Sequence, residues 1–559
     1  MMKKLTLFFL LISACFVDAQ PLQRADIVLR HGHIYTMDER HPWAESIAVG
    51  KGRILFIGAD KGLRPYMDDH TKVIELSGKF VMPSFIDSHV HPLSAGIEMQ
   101  QLDVGTLQTK EEILKAVKEY ADAHPKAAWI IGNTWQLPVF PGANPKKEWL
   151  DEIVPDRPVL MTSADGHSIW VNSKALELAG VNKDTPDPPN GRIERNENGE
   201  PSGTLRESAS RLIEKVAPEP TEEQRLDGLK AAVQKMNQLG ITGFQDASVQ
   251  EDSLKIYAQA DQQGILTARV RAAQYADPKL PPDDQIEKFK EFRAKYHGDH
   301  YNADSVKIFA DGVIEANTAA MLQPYLDGKK DRGIYNWQPD ALNSFVKALD
   351  QEKFQIHIHA IGDGAIREAL DALEYARKQN GPRDARPIIA HLQVIDSADI
   401  PRFHSIPVIA CFQPLWAFED DYIKDMTYTK IGPERSRELY PIGSVVKAKG
   451  PIAFGSDWSV SSVNPLDGIE VAVTRCDPDQ PPCNNPLLPN EKIDLATALR
   501  AYTLGAAYAN FWDKETGSLE TGKSADLIVL SQDLFKIPPA DINQTKVEMT
   551  IFEGKVIDQ

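Results

Sequence analysis

The sequence is poor in cysteine, in long apolar runs and in positive charge. Four cysteines occur in 559 residues. No two stand in a C-x-x-C pair, so a zinc site built from cysteine is not indicated. Acidic residues outnumber basic ones to leave a formal charge of −18, which argues against nucleic acid or an anionic membrane as partner. One apolar run stands out, Leu5 to Val17, and it is too short to span a bilayer comfortably. Behind Lys3 and Lys4 it reads as an export signal over residues 1–20. Two processing sites compete there. Val17-Asp18-Ala19 before Gln20 has the small-residue spacing of ordinary signal cleavage, whereas Ile12-Ser13-Ala14-Cys15 resembles a bacterial lipobox that would leave Cys15 acylated. Either route places the mature chain outside the cytoplasm, periplasmic or lipid-anchored through Cys15.

Three cysteines follow. Cys411 lies in a strand-like apolar run and reads as a buried thiol. Cys476 and Cys483 flank a Pro-rich, acidic loop, Asp477 to Pro482. An exported chain meets oxidant, so a disulfide between them is expected, with two free thiols as the rival reading because spacing does not fix the Cα separation.

What the sequence does hold is a regular alternation. Residues 25–82 carry short β-rich runs (Asp26–Arg30, His33–Met37, Ser46–Val49, Arg53–Ile57, Lys72–Glu75) cut by Gly32, Gly50, Gly52 and Gly58. The far end has the same texture at Ser524–Leu530, Val547–Phe552 and Lys555–Ile557. This predicts one composite β-sandwich domain, residues 21–82 with 515–559. Between the ends, strands alternate with helical patterns. Eight strand candidates are Lys79–Ile86, Thr242–Asp246, Thr267–Gln274, Ser305–Asp311, Gln355–His359, Pro387–His391, Pro407–Gln413 and Pro451–Asp457. The expectation is an α/β protein whose residues 83–514 form a TIM-like (β/α)8 barrel, with its site at the carboxyl ends of the strands. An insertion of roughly residues 100–235 follows strand one. It holds Trp129 to Trp135, and Trp135 is expected to form part of a substrate wall.

Polar residues gather at those strand ends: His89 and His91, Asp246, Lys307 and Asp311, His359, His391, Asp457. On a strand, residues two apart share a face, so His89 and His91 can offer two imidazoles to one ion. The 32 residues from His359 to His391 equal one β/α unit, and the 66 from His391 to Asp457 about two. His357 forms a second H-x-H with His359 and reads as a deeper barrel-interior histidine.

Taken in order, Ile86-Asp87-Ser88-His89-Val90-His91-Pro92, Val306-Lys307-Ile308-Phe309-Ala310-Asp311-Gly312, His359-Ala360-Ile361-Gly362-Asp363, Ala390-His391-Leu392-Gln393 and Gly455-Ser456-Asp457-Trp458 resemble the amidohydrolase superfamily. The likeness is to its amidohydrolase-3 branch, which includes N-substituted formamide deformylases. Asp165-Gly166-His167-Ser168-Ile169-Trp170 in the insertion and Gly517 to Leu527 near the end also match, so the resemblance covers residues 25–557. It implies metal-ligand roles for His89, His91, Lys307, His359, His391 and Asp457, for one or two zinc-like ions. An ammonium has no lone pair to donate, so the resemblance implies that CO2 carboxylates Lys307; the rival reading pairs Lys307 with Asp311. It further implies a substrate or transition-state contact for His167, with a structural hydrogen-bonding role as the rival reading, and Glu207 as a weaker pocket candidate. The sequence departs from the pattern at Ser84, Ala390 and Gly364, where glycine, glutamate and arginine are usual.

The expected activity is metal-assisted hydrolysis of a non-peptide C–N bond in a small molecule (an amide, formamide or cyclic amide), with Asp457 as general base and then general acid. An esterase, lactonase or phosphotriesterase would use the same groups. A catalytically inactive binding protein is a different class, and retention of all six ligand positions argues against it. The sequence is compatible with a homo-oligomer.

Overall fold

A computed structural model describes residues 23–326, 328 and 330–558. The proposed export signal and Cys15 lie outside the described residues. Among those described, no helix is long and apolar enough to cross a membrane.

Eight strands form one parallel sheet: β1 (Phe85–Val90), β2 (Ile241–Val249), β3 (Arg269–Tyr275), β4 (Tyr301–Phe309), β5 (Gln355–Ala360), β6 (Ile388–His391), β7 (Ile409–Phe412) and β8 (Ile452–Phe454). This is the expected (β/α)8 barrel. Between β8 and β1 the seam is closed just past the strand ends. The Asp457 N–H donates to the His89 carbonyl at 2.7 Å, and the His91 N–H to the Trp458 carbonyl at 2.9 Å. The buried Asp87 carboxylate adds bonds from the His89 and Ser456 N–H groups. Gly455 permits the approach, since a Cβ there would sit 2.6 Å from the His89 nitrogen.

Four strands from residues 27–75 make a separate sheet, and a six-stranded sheet joins both ends of the chain. In the latter, Phe80–Pro83 runs antiparallel to Leu527–Leu530. Leu29, Ile47, Val81, Leu527 and Ile551 from the two sheets share one apolar core. The single strand expected over Lys79–Ile86 is two strands. Phe80–Pro83 belongs to the composite sheet and Phe85–Val90 to the barrel. All of both strands is buried, so hydropathy carries no mark of the change of partner. The change falls at Ser84, whose N–H donates to Asp526, while that of Phe85 donates to Gly240.

The insertion forms a fourth sheet, six-stranded, from Leu102–Asp103 to Pro201–Glu207. Its first long helix, Lys110–Ala123, starts at a capping box between Thr109 and Glu112. The sheet stands over the carboxyl end of the barrel and walls the cavity there.

Candidate metal centre

The carboxyl ends of β1, β6 and β8 bring His89, His391 and Asp457 together, with one potential ligand atom from each inside a 4.8 Å span. His89 Nε2 lies 3.4 Å and His91 Nε2 3.2 Å from Asp457 Oδ1, and His391 Nδ1 lies 3.8 Å from Oδ2. His359, at the end of β5, sets its ring 4.4 Å from that of His391. Its Nε2 reaches the Gly312 carbonyl at 3.2 Å. His391 and Asp457 both hold positive φ angles, 79° and 56°. Side chains other than glycine rarely adopt this conformation, and it recurs where a chain must aim a functional group.

A relay fixes His89. The Gln245 amide donates to Ser305 Oγ and Gln355 Oε1, so its Oε1 is left to accept from His357 Nδ1 at 2.8 Å. His357 Nε2 then accepts from His89 Nδ1 at 2.8 Å, and the lone pair of His89 Nε2 is presented to the centre. His357 thus lies a layer below the centre. On the other side, the Asp246 carboxylate lies 3.8 Å from His91 Nδ1 and accepts from the Tyr257 hydroxyl. A carboxylate behind a ligating imidazole orients it and raises its basicity.

Lys307 is fully buried, with Nζ 3.2 Å from His89 Nε2 and 4.9 Å from the Phe309 ring. Burial pulls its pKa down to about 7. Among the described residues it pairs with no carboxylate. Asp311 is occupied elsewhere, accepting from the backbone N–H groups of Ala320, Ile361 and Gly362, and burial raises its pKa to about 8.

Burial, reinforced for His89, His357 and His359 by charge on Lys307, holds these imidazoles well below the usual histidine range; for His391, burial and then His359 do the same. They are neutral and keep a lone pair each. His391 Nδ1 is buried without a hydrogen-bond partner, an arrangement that is costly unless something fills it. An unpartnered nitrogen, neutral imidazoles and a carboxylate converging on one point fit a divalent cation.

His167, on the turn before Ser168–Val171 of the insertion, hangs over the centre with its ring 5.8 Å from that of His359. Burial opposes charge on it, but Glu207 at 2.9 Å outweighs burial and lifts its pKa to about 9. Glu207 does not line the cavity. It stands behind His167 and accepts from Thr318 Oγ1 at 2.7 Å, so the expected pocket contact is a residue that orients His167. Trp135 is also corrected. It is 0% exposed in the core of the insertion, and its indole N–H donates to the Met161 carbonyl. Its neighbours Thr134 and Gln136 face the cavity instead.

The cavity above the centre has a volume of about 550 Å³. Cys476 and Cys483 are joined, their Cα atoms 5.5 Å apart, and hold Asp477, Pro478 and Asp479 in the wall. A Cβ at Gly364 would lie 2.2 Å from the Tyr335 hydroxyl and 2.9 Å from the Ala320 carbonyl oxygen, so a side chain there requires its neighbours to shift. Asp87, Asp246 and Tyr257 are functional neighbours that motif reading did not assign. Only Asp246 gave a signal, as an acid at a strand end.

A barrel with imidazoles and an aspartate at its strand ends defines a metal-dependent hydrolase. The sequence profile of the Amidohydrolase family matches residues 72–558, and the chain belongs to that family. It is 33% identical over 525 residues to Protein LONG AFTER FAR-RED 3 of Arabidopsis thaliana, covering 91% of this chain and 87% of that one. It is 27% identical to the N-substituted formamide deformylase of Arthrobacter pascens, covering 95% and 98%. The crystal structure of an uncharacterized metal-dependent hydrolase from Pyrococcus furiosus superposes with a TM-score of 0.71 at 26% identity, over 91% of this chain and all of that one.

Proposed function

We propose that the protein hydrolyses a non-peptide C–N bond, an amide, formamide or cyclic amide, with one or two zinc ions held by His89, His91, His359, His391, Asp457 and a carboxylated Lys307. The observation that carries this reading is the convergence of the neutral imidazoles of His89 and His391 on Asp457, with His391 Nδ1 buried and unpartnered among the described residues. A divalent cation in this set polarises a carbonyl and lowers the pKa of a water towards about 7.

The chain's own groups do the rest. Asp457 takes a proton from the attacking water as its oxygen bonds to the carbonyl carbon. His167, held as an imidazolium by Glu207, donates to the oxygen where negative charge develops. Asp457 then passes its proton to the leaving nitrogen as the C–N bond breaks, giving a carboxylic acid and an amine. Lys307, with its pKa brought to about 7, supplies the neutral amine that carbamate formation with CO2 requires.

The test is turnover of formanilides by protein loaded with zinc, alongside metal analysis. His89→Ala is expected to lose both metal and activity, and full metal occupancy in that variant would refute the ligand set. Lys307→Ala is expected to lose activity and regain part of it with short carboxylic acids. A 13C-bicarbonate label absent from Lys307 of the active protein would sink the carboxylation.

We also infer export through residues 1–20, which the joined Cys476 and Cys483 support. Mass spectrometry of the mature amino terminus separates acylated Cys15 from free Gln20, and an intact Met1 on the mature protein would overturn it.

A further inference from the structure

The cavity wall combines two kinds of group. Imidazoles stand at the metal centre. Beside them the wall carries Asp165, Glu315 and Asp420 with the rings of Trp416, Phe418 and Tyr422. No described lysine or arginine lines the cavity, and the charge of the His167 imidazolium is matched chiefly by Glu207. Lys307 lies beneath His89, and Lys424, near Asp420, points to solvent. Three carboxylates in one partly dry space repel one another and are expensive to keep there unless a cation joins them.

Their local bonds leave capacity unspent. Asp165 uses Oδ1 for Ser163 Oγ and the His167 N–H, while its Oδ2 is buried without a partner. Glu315 accepts through Oε1 from Gln393 and Thr427, and no described donor reaches its Oε2. Among the described residues, the Asp420 carboxylate accepts only from the Ile423 N–H. Burial, and after it repulsion from Glu315 and Asp421, raises the Asp420 pKa to about 7. Tyr422 sits among the three and ties this wall to the insertion, donating to Gln136 Oε1 at 3.0 Å. Trp416 joins this wall to the metal centre. Its ring stacks on His391 at 5.6 Å, with the planes 6° apart.

We propose that the substrate carries a positive charge, a protonated amine or quaternary ammonium, seated among Asp165, Glu315 and Asp420 against the faces of Trp416 and Tyr422. This rests on the hydrolase reading above and narrows it to cationic amides. Aromatic faces and carboxylates together favour an ammonium over its uncharged isostere. Because Trp416 touches a metal ligand, the ammonium and the scissile carbonyl are only a ring's breadth apart, and the substrate is short.

The test compares three formanilides bearing 4-aminomethyl, 4-hydroxymethyl and 4-carboxylate groups. The cationic compound is expected to exceed the neutral one in kcat/KM by about tenfold or more, the scale of a desolvated cation–π contact with added Coulomb attraction, and the carboxylate to be the poorest. Glu315→Gln and Asp420→Asn are each expected to lower the cationic-to-neutral ratio, chiefly through KM. An unchanged ratio in both variants, or equal turnover of all three compounds, would overturn the proposal. A binding measurement keeps the two readings apart. Zinc-loaded protein is titrated by calorimetry with choline and with its uncharged isostere 3,3-dimethylbutan-1-ol. Choline is expected to bind at least about tenfold tighter, and Glu315→Gln to weaken choline alone. Equal affinity sinks the charge preference. Absence of turnover of every formanilide while choline binds selectively refutes the hydrolase reading and leaves the cation site standing.

Discussion

At the scale of single residues, aim matters as much as ligand identity. His357 holds His89 by one hydrogen bond and is itself held by Gln245. Removing such a partner typically weakens metal binding about 10–100-fold. His357→Ala is therefore expected to release zinc to a chelator faster, with the fold retained by circular dichroism; unchanged release would show that the relay is idle. The histidines proposed as ligands were legible because each lies at the end of a strand at barrel spacing. Asp87 was not, because its partner at Ser456 is remote in sequence and only register brings them together. Trp135 was misread for a local reason. The alternation along Ile130–Trp135 breaks at a register shift between Gly132 and Trp135, which turns Trp135 to the core face of Ile130, and nothing in the sequence marks that break. Trp135→Ala is expected to cost about 3–5 kcal/mol of stability, read as an earlier unfolding transition, with KM for a formanilide little affected in the folded fraction.

At the scale of elements, the strands were easier to find than their partners. β-rich runs and glycine breaks showed where strands lie. The switch at Ser84 was hidden, since the same apolar surface serves two sheets. The loop between Cys476 and Cys483 is an element with a task, because Asp477 to Asp479 line the cavity. Closing a loop this short contributes somewhat under about 3 kcal/mol in the chain-entropy picture. Replacing both cysteines by serine is expected to lower Tm modestly and to raise KM more than it lowers kcat. A variant with unchanged KM would make the bridge purely structural.

At the scale of the whole molecule, a polar seam joins the barrel to the composite sheet. Arg269 reaches Asp526 at 2.6 Å and Glu553 at 2.9 Å, and His300 lies between Asp261 at 2.9 Å and Glu553 at 3.5 Å. The hydrogen bond that His300 donates to Glu553 leads in raising the His300 pKa above its ordinary value, against burial and with help from Asp261. A raised histidine pKa stabilises the fold fully below about 6.5 and loses that stabilisation as pH rises through the folded-state value. The Tm difference between the protein and His300→Gln is thus expected to be largest near pH 6 and to shrink on going alkaline. A difference that grows with pH would reverse the sign and refute the pairing.

The antiparallel partnership of Phe80–Pro83 with Leu527–Leu530 sets a clock on biosynthesis. The two strands lie roughly 450 positions apart. At ribosomal rates of about 5–20 residues per second, the earlier strand waits on the order of 20–90 s for the later one to be made. Throughout that interval a fully apolar strand stands without its neighbour, an open edge of the kind that invites wrong pairing. A nascent chain of this protein is consequently a natural client for factors that keep polypeptides unfolded until synthesis is complete. Delivery across a membrane in an unfolded state would turn that wait from a hazard into a requirement.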